Sequence, residues 1–267
     1  MTITEQKELQ KLYGSFAGGL TDEELERTIA NSERIMRAHL QDCVDPRLLK
    51  ESKVVCADFN ENLMNILKRR ATKYRWINVE TAVIDAQHSD FQESSFSHVT
   101  LNCAMHTIPK PEDVLVDAMR ILQPGGVFAF STWHKYTKGW GPDMRSCFES
   151  LPFDAPMPDP VPMAIHGKLQ WTDPKGLEGE LRAHGFENIQ VNTVSHTVHV
   201  NSAEDYLRSY RTMKDWMVNT YWNEESKQKA QGMLDGHIVS HLQEKYKGER
   251  WDLSWTAILA TCQRPES

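Results

Sequence analysis

Between Gly19 and Gly125 the chain contains no glycine. A turn that brings backbone against a phosphate or a cofactor needs glycine, because a Cβ blocks both the approach and the φ > 0 conformations such turns use. The interval where that turn belongs, roughly 20 residues before an acidic strand end at Asp58, reads "RIMRAHLQDC" and holds none. Long apolar runs are also missing. No stretch approaches the ~18 residues of a membrane span, and the polar opening "MTITEQKELQ" lacks the apolar core of a signal peptide, so a cytoplasmic location is expected. The cysteines, Cys43, Cys56, Cys103, Cys147 and Cys262, form no Cys-x-x-Cys pair. That disfavours a zinc or disulfide framework and suggests reduced core residues. Positive charge is scarce too. A net charge of −7 and a pI near 5.9 leave little general attraction for nucleic acid or an anionic membrane, and neither is expected as a partner. Lys68-Arg69-Arg70 is a local exception on an expected helix, where a solvated face is the simpler reading.

What is present is the composition of one globular domain: 267 residues, 40% hydrophobic and 25% charged. Residues 1–50 read as N-terminal helices, and "TDEELERTIANSERIMRAHL" opens on a capping box of Thr21 and Glu24. Strand and helix then alternate. "KVVCA" is a strand, "NENLMNILKRRATKY" a helix, "NVETAVI" a strand and "HVTLNCA" another. "PEDVLVDAMRIL" is a helix with Pro111 near its start and Gly125 placed to end it, and "GVFAFSTW" is the next strand. Such alternation builds a mostly parallel sheet covered by helices. A proline-rich loop, "LPFDAPMPDPVPM", precedes a helix at "DPKGLEGELRAHG", a β-rich stretch at "FENIQVNTVSHTVHV", two helical patterns over 201–250, and a closing strand "WDLSWTAILATCQ". The expected organisation is one domain, with an α/β core over 51–200 and 251–263 and a helical cap over 201–250.

The span from Lys53 to Trp133 resembles class I S-adenosylmethionine-dependent methyltransferases, and within them the ubiquinone-methyltransferase-like branch that acts on small molecules. Four markers carry the resemblance in order and spacing: the acidic strand end at Asp58, the "IDAQ" turn, "SFSHV" entering a strand, and "RILQPGG" before the next. The later "HGFENIQV" and the terminal strand fit the antiparallel hairpin that closes that Rossmann-like fold.

The resemblance implies S-adenosyl-L-methionine as cofactor and assigns positions. Asp58 corresponds to the carboxylate that accepts from the ribose hydroxyls, with Phe59 and Asn60 flanking adenine or sugar. Asp85 and Ala86 correspond to the turn that meets the adenine ring. Asn102, Met105 and His106 follow a strand at the crevice edge, where ligands of open α/β sheets bind, and His106 is the candidate catalytic base. No metal is implied. Simpler readings stand beside these: Asp58 as a helix cap, Asp85 as a turn former, His106 as a pocket-wall residue, Trp133 as packing beside His134. His237 and His241, four apart on a helix, lack the Glu of a His-Glu-x-x-His pattern and read as a surface pair. Trp216, Tyr221, Trp222, Trp251 and Trp255 could cover an apolar substrate or fill a core.

The sequence departs from the family where its first strand should end in a glycine-rich turn. "YGSFAGGL" follows no apolar strand and lies about twice the usual interval before Asp58. Taking "KVVCA" as the first strand fails on spacing, since 11 residues between Asp85 and Ser97 cannot hold a further crossover. With "KVVCA" as the second strand, two inner strand edges are left needing partners, so they either pair with each other or weaken the fold. The expected function is methyl transfer to a small-molecule substrate. The alternatives are a cyclase or isomerase on the same fold, or a protein that only binds.

Overall fold

The computed structural model describes residues 53–164 and 166–267. The expected N-terminal helices, their capping box, Cys43 and the "YGSFAGGL" glycines lie outside the described residues.

Strand β1 (Val54–Asp58) pairs in parallel with β2 (Val79–Val83), in a register that sets Val54 against Val79 and Asp58 against Val83. Between them runs helix α1 (Glu61–Lys73). Its start follows from Asn60, whose side chain accepts from the backbone N–H groups of Asn62 (2.9 Å) and Leu63 (3.3 Å), two of the donors a helix start leaves unpaired. The helix ends in a Schellman-type turn, with Trp76 N–H donating to Ala71 O (2.9 Å) and Arg75 N–H to Thr72 O (3.2 Å). Arg75 holds φ 56° at the position where glycine is usual, a conformation that costs a side chain roughly 1–2 kcal/mol.

A second sheet has the order β3-β4-β6-β5, with β3 (Phe96–Leu101), β4 (Leu122–Trp133), β5 (Glu187–Val200) and β6 (Trp251–Gln263). β3 and β4 are parallel. β6 runs antiparallel to β4, since Arg264 N–H bonds Gly126 O while His134 N–H bonds Thr256 O. This is the α/β architecture with parallel strand pairs and antiparallel closing strands expected from the sequence, divided among the described residues into two sheets instead of one mostly parallel sheet. The helices are α2 (Pro111–Ile121), α3 (Gly141–Glu149), α4 (Pro174–Ala183), α5 (Ala203–Tyr221), α6 (Glu224–Ala230) and α7 (Leu234–Tyr246). Among the described residues, β1 and β3 do not pair with each other.

Three local expectations change. Gly125 does not end α2; the helix stops at Ile121, and Gly125, at φ 73°, sits in a bulge at the start of β4, where the register jumps from Phe96↔Leu122 to His98↔Val127. Arg264 spans that bulge, its guanidinium donating to Leu122 O, to Arg120 O and to Ser94 Oγ. Helix α3 was not expected after the strand signal "GVFAFSTW". And the last helical pattern breaks into α6 and α7 around Gly232, at φ 76°.

The chain forms two compact units, one of residues up to Thr132 with Ala164–Asn192 and Leu259–Ser267, the other of Trp133–Met163 and Thr193–Ile258. The first buries Leu115 and Ala118 of α2, Phe128 and Phe130 of β4, and Leu177 and Leu181 of α4. The second buries Met144, Phe148, Tyr206, Met217, Trp222, Ile238, Trp251 and Trp255, and Trp216 and Tyr221 pack against that cluster. The C-terminal aromatics are therefore core. The buried Asp143 accepts from Lys245 Nζ (2.9 Å), Tyr246 OH (2.7 Å) and Trp251 Nε1 (2.9 Å), a full set of donors for a carboxylate taken out of water.

Removing the α1 cap by Asn60→Ala is expected to destabilise the protein by about 1 kcal/mol. In chemical denaturation this appears as a lower midpoint with an unchanged slope.

Candidate functional site

Four apolar residues carry β1 to Asp58, where the strand stops because Asn60 starts a helix two residues later. The Asp58 carboxylate is half-buried and accepts from Asn60 N–H through Oδ1 at 2.8 Å. Burial raises its pKa above the ordinary carboxylate value, and the bond from Asn60 works in the opposite direction. The backbone carbonyl of Asp58 accepts from Ile84 N–H (3.0 Å), which ties the ends of β1 and β2 together and brings the turn at Asp85 and Ala86 beside Asp58.

Asp58, Phe59, Asn60, Asp85 and Ala86 all line one cavity of about 1180 Å³. Its long walls are unusual. From β3 every residue of the run Ser97–Leu101 faces it, and from β1 Val54, Val55, Ala57 and Asp58 do. Side chains of a strand alternate between faces, so a cavity touched by consecutive residues lies along strand edges. The two inner edges anticipated from the sequence thus flank one shared space. Phe96, Phe128, Val114 and Ile121 make much of its wall apolar.

Asp85 is exposed and serves its own turn: Oδ1 accepts from Gln87 N–H (2.9 Å), and both carboxylate oxygens accept from Gln87 Nε2. Gln87 Oε1 in turn accepts from Lys110 N–H (3.0 Å), fixing the approach to α2. Two further cavity residues, Ser89 and Asp117, escaped the sequence reading. Asp117, buried on α2, accepts from Ser89 Oγ and from Arg120 Nη2 (2.6 Å), while Arg120 Nη1 holds Phe91 O. The only signal was an i,i+3 Asp-Arg spacing on an otherwise apolar helix face.

Asn102, Met105 and His106 are not on the cavity wall. Asn102 Oδ1 accepts from Ser131 Oγ. Met105 is fully buried. His106 is buried beside Thr132, with Nδ1 3.1 Å from Thr132 Oγ1. Since Thr132 Oγ1 donates to Trp171 O (3.2 Å), the ring N–H at Nδ1 donates to Thr132. Nearby, His166 Nε2–H donates to Met105 O (3.1 Å) and Nδ1 accepts from Lys168 N–H (3.1 Å). Burial, with a smaller contribution from His166, pushes the pKa of His106 down to about 3, so the ring is neutral at physiological pH.

The remaining candidates lie elsewhere. Trp133 packs on Trp255 with ring centroids 4.6 Å apart, and His134 Nδ1 accepts from Tyr136 N–H. His241 Nε2 meets Ser146 Oγ (2.7 Å) and His237 Nε2 meets Ser150 Oγ (2.8 Å), so both rings join α7 to α3.

Residues 40–130 match a family model described as a methyltransferase domain. Over that span the chain is similar to methyltransferase domains. Methyltransferase tpcH of Aspergillus fumigatus is 22% identical over 227 residues, covering 85% of this chain and 79% of that protein. The acetylaranotin bis-thiomethyltransferase of Aspergillus terreus is 22% identical over 214 residues, covering 80% and 72%. Among solved structures, the YcgJ protein of Bacillus subtilis aligns over 82% of this chain and 86% of its own, with 11% identity and a TM-score of 0.49.

The buried His106 sets a pH dependence of stability. The folded ring stays neutral down to about pH 3 whereas an exposed one protonates near 6.5. Between those values the unfolded chain binds the extra proton, so stability falls as pH falls, by up to about 1.4 kcal/mol per pH unit. His106→Gln is expected to lower stability at neutral pH but to flatten this acid limb, as read from denaturation midpoints of both proteins across pH 4–7.

Proposed function

We propose that the protein transfers a methyl group from S-adenosylmethionine to a small-molecule substrate of specialised metabolism. The observation that carries this reading is Asp58: a half-buried carboxylate at the carboxyl end of a parallel strand, on the wall of a large and partly apolar cavity. A ribose presents two neighbouring hydroxyl donors, and an ionised carboxylate is acceptor-only with two oxygens to receive them. Oδ1 already takes one bond from Asn60 N–H, and Oδ2 accepts from no donor among the described residues.

The residues present fit the nucleoside half of the cofactor. Asp58 would hold the ribose, Phe59 and Asn60 would flank it, and the Asp85-Ala86 turn would meet the adenine. For the amino-acid half the described wall offers the strand edges of β1 and β3 in place of a glycine-rich turn. When bound, S-adenosylmethionine supplies a sulfonium methyl open to in-line displacement by a nucleophile. The chain's contribution is to align the acceptor and keep the pocket dry, which the apolar wall of Phe96, Val114, Ile121 and Phe128 supports. We assign His106 to positioning: a ring held neutral to about pH 3 is a weak base, and its bond to Thr132 anchors the turn after β3. Where the acceptor carries a proton, solvent or another wall group takes it. The fungal relatives support a small-molecule substrate, one being by name a thiomethyltransferase.

Calorimetric titration with S-adenosylmethionine and with S-adenosylhomocysteine tests the reading. Micromolar binding of both is expected. Asp58→Asn should weaken it about 10- to 100-fold, the worth of one or two charge-assisted hydrogen bonds, with little change in stability. No binding to the wild-type chain would remove methyl transfer, and binding indifferent to Asp58→Asn would remove the assigned site.

A further inference from the structure

The turn that follows α1 combines clustered positive charge with exposed apolar groups. From Asn62 to Val79 the chain carries five cations, Lys68, Arg69, Arg70, Lys73 and Arg75, and no acid, in a protein whose net charge is −7. Lys68, Lys73 and Arg75 form no ion pair with any acid among the described residues. At the same turn Tyr74 is 58%, Trp76 42% and Ile77 98% exposed. Tyr74 and Trp76 stack with ring centroids 6.0 Å apart, and Lys73 Nζ lies 5.4 Å from the Tyr74 ring centre. The backbone is held, not loose. The Schellman-type hydrogen bonds fix the turn, and Arg75 takes the left-handed conformation there although glycine would adopt it without strain.

We propose that this knuckle, Lys68–Ile77, docks the protein on the surface of an anionic lipid bilayer. Three features favour a bilayer over other anionic partners. Tyr74, Trp76 and Ile77 are exposed together on one hydrogen-bonded turn and line no described pocket, an arrangement suited to entering a soft interface. Tyrosine and tryptophan, each with an apolar body and a polar tip, suit the headgroup level, and Ile77 beside them is the group to reach the acyl chains. The cations lie next to them in the chain, where they meet anionic headgroups. A nucleic acid would use the aromatic rings as separate stacking platforms and would gain nothing from Ile77. The low charge of the whole chain confines the attraction to this one corner. The knuckle precedes β2 and so lies at the amino end of the β1–β2 pair, whereas Asp58 and Asp85 are at its carboxyl end. Contact with a membrane therefore leaves the Asp58 end of the strand pair facing away.

Co-sedimentation of the full chain with vesicles tests this. Mixed phosphatidylserine and phosphatidylcholine vesicles should bring the protein down, phosphatidylcholine alone should not, and raising the salt should release it. Lys68→Glu with Lys73→Glu should weaken binding at least ~20-fold, from roughly fivefold for each cation removed. Trp76→Ser with Ile77→Ser should weaken it comparably at unchanged charge. Far-UV circular dichroism confirms that each variant is folded, and the exposed lysine pair keeps the test valid if the apolar pair does not fold. Absence of sedimentation, equal binding to neutral vesicles, or binding unaffected by either folded variant would overturn the proposal. So would binding to heparin as tight as to the anionic vesicles and indifferent to Trp76 and Ile77.

Discussion

The arrangement depends on directed pairing of backbone groups. A parallel pair requires both strands to begin at the same end, and the helix that returns the chain must run the length of the pair. β1, α1 and β2 obey this, as do β3, α2 and β4. It is why residues far apart in sequence, Asp58, Asp85 and the segment after β3, meet along one cavity. The same requirement explains the cavity's elongated walls. A strand edge offers a row of donors and acceptors, and among the described residues the facing edges of β1 and β3 give theirs to no neighbouring strand.

Three acidic side chains removed from bulk water show how the protein treats such groups. Asp143 receives an ammonium, a phenol and an indole. Asp117 receives a guanidinium and a hydroxyl. Both are saturated by the chain itself, as burial of a charge demands. Among the described residues Asp58 receives one backbone amide, and burial raises its pKa. A carboxylate with acceptor capacity to spare, on a cavity wall, is where an external donor lowers the free energy most. That contrast separates Asp58 from acids that only hold the fold together.

Much of the core was legible because its signals are periodic and punctuated. The run before Asp58 gave β1 and "HVTLNCA" gave β3, which ends at Leu101, three residues earlier than read, and Asn60 and Pro111 marked helix starts. Gly125 misled, since glycine after a helix serves a bulge as readily as a cap, and only Arg264, distant in sequence, settles which. Helix α3 was hidden by its opening Gly141-Pro142 and by its short length, which leaves too few turns for a clear apolar stripe. In the candidate site, Asp58, Phe59, Asn60, Asp85 and Ala86 were readable because each is tied to a strand end. Asp117 and His166 were not, because their places are set by contacts across the fold, and the burial that makes His106 neutral has no local sequence signature.

Arg264 also limits what substitution can do near the end of β6. Its guanidinium reaches three oxygens on two segments, Ser94 Oγ on one and the carbonyls of Arg120 and Leu122 on the other. A planar fork with several fixed donors can serve acceptors spread this way, whereas the compact ammonium of lysine cannot reach them together. Exchanging one basic residue for the other, conservative by charge, would thus release two carbonyl groups at the bulge. A single clamp near the carboxyl end of β6 governs the register of a strand pair whose residues precede it by more than a hundred positions.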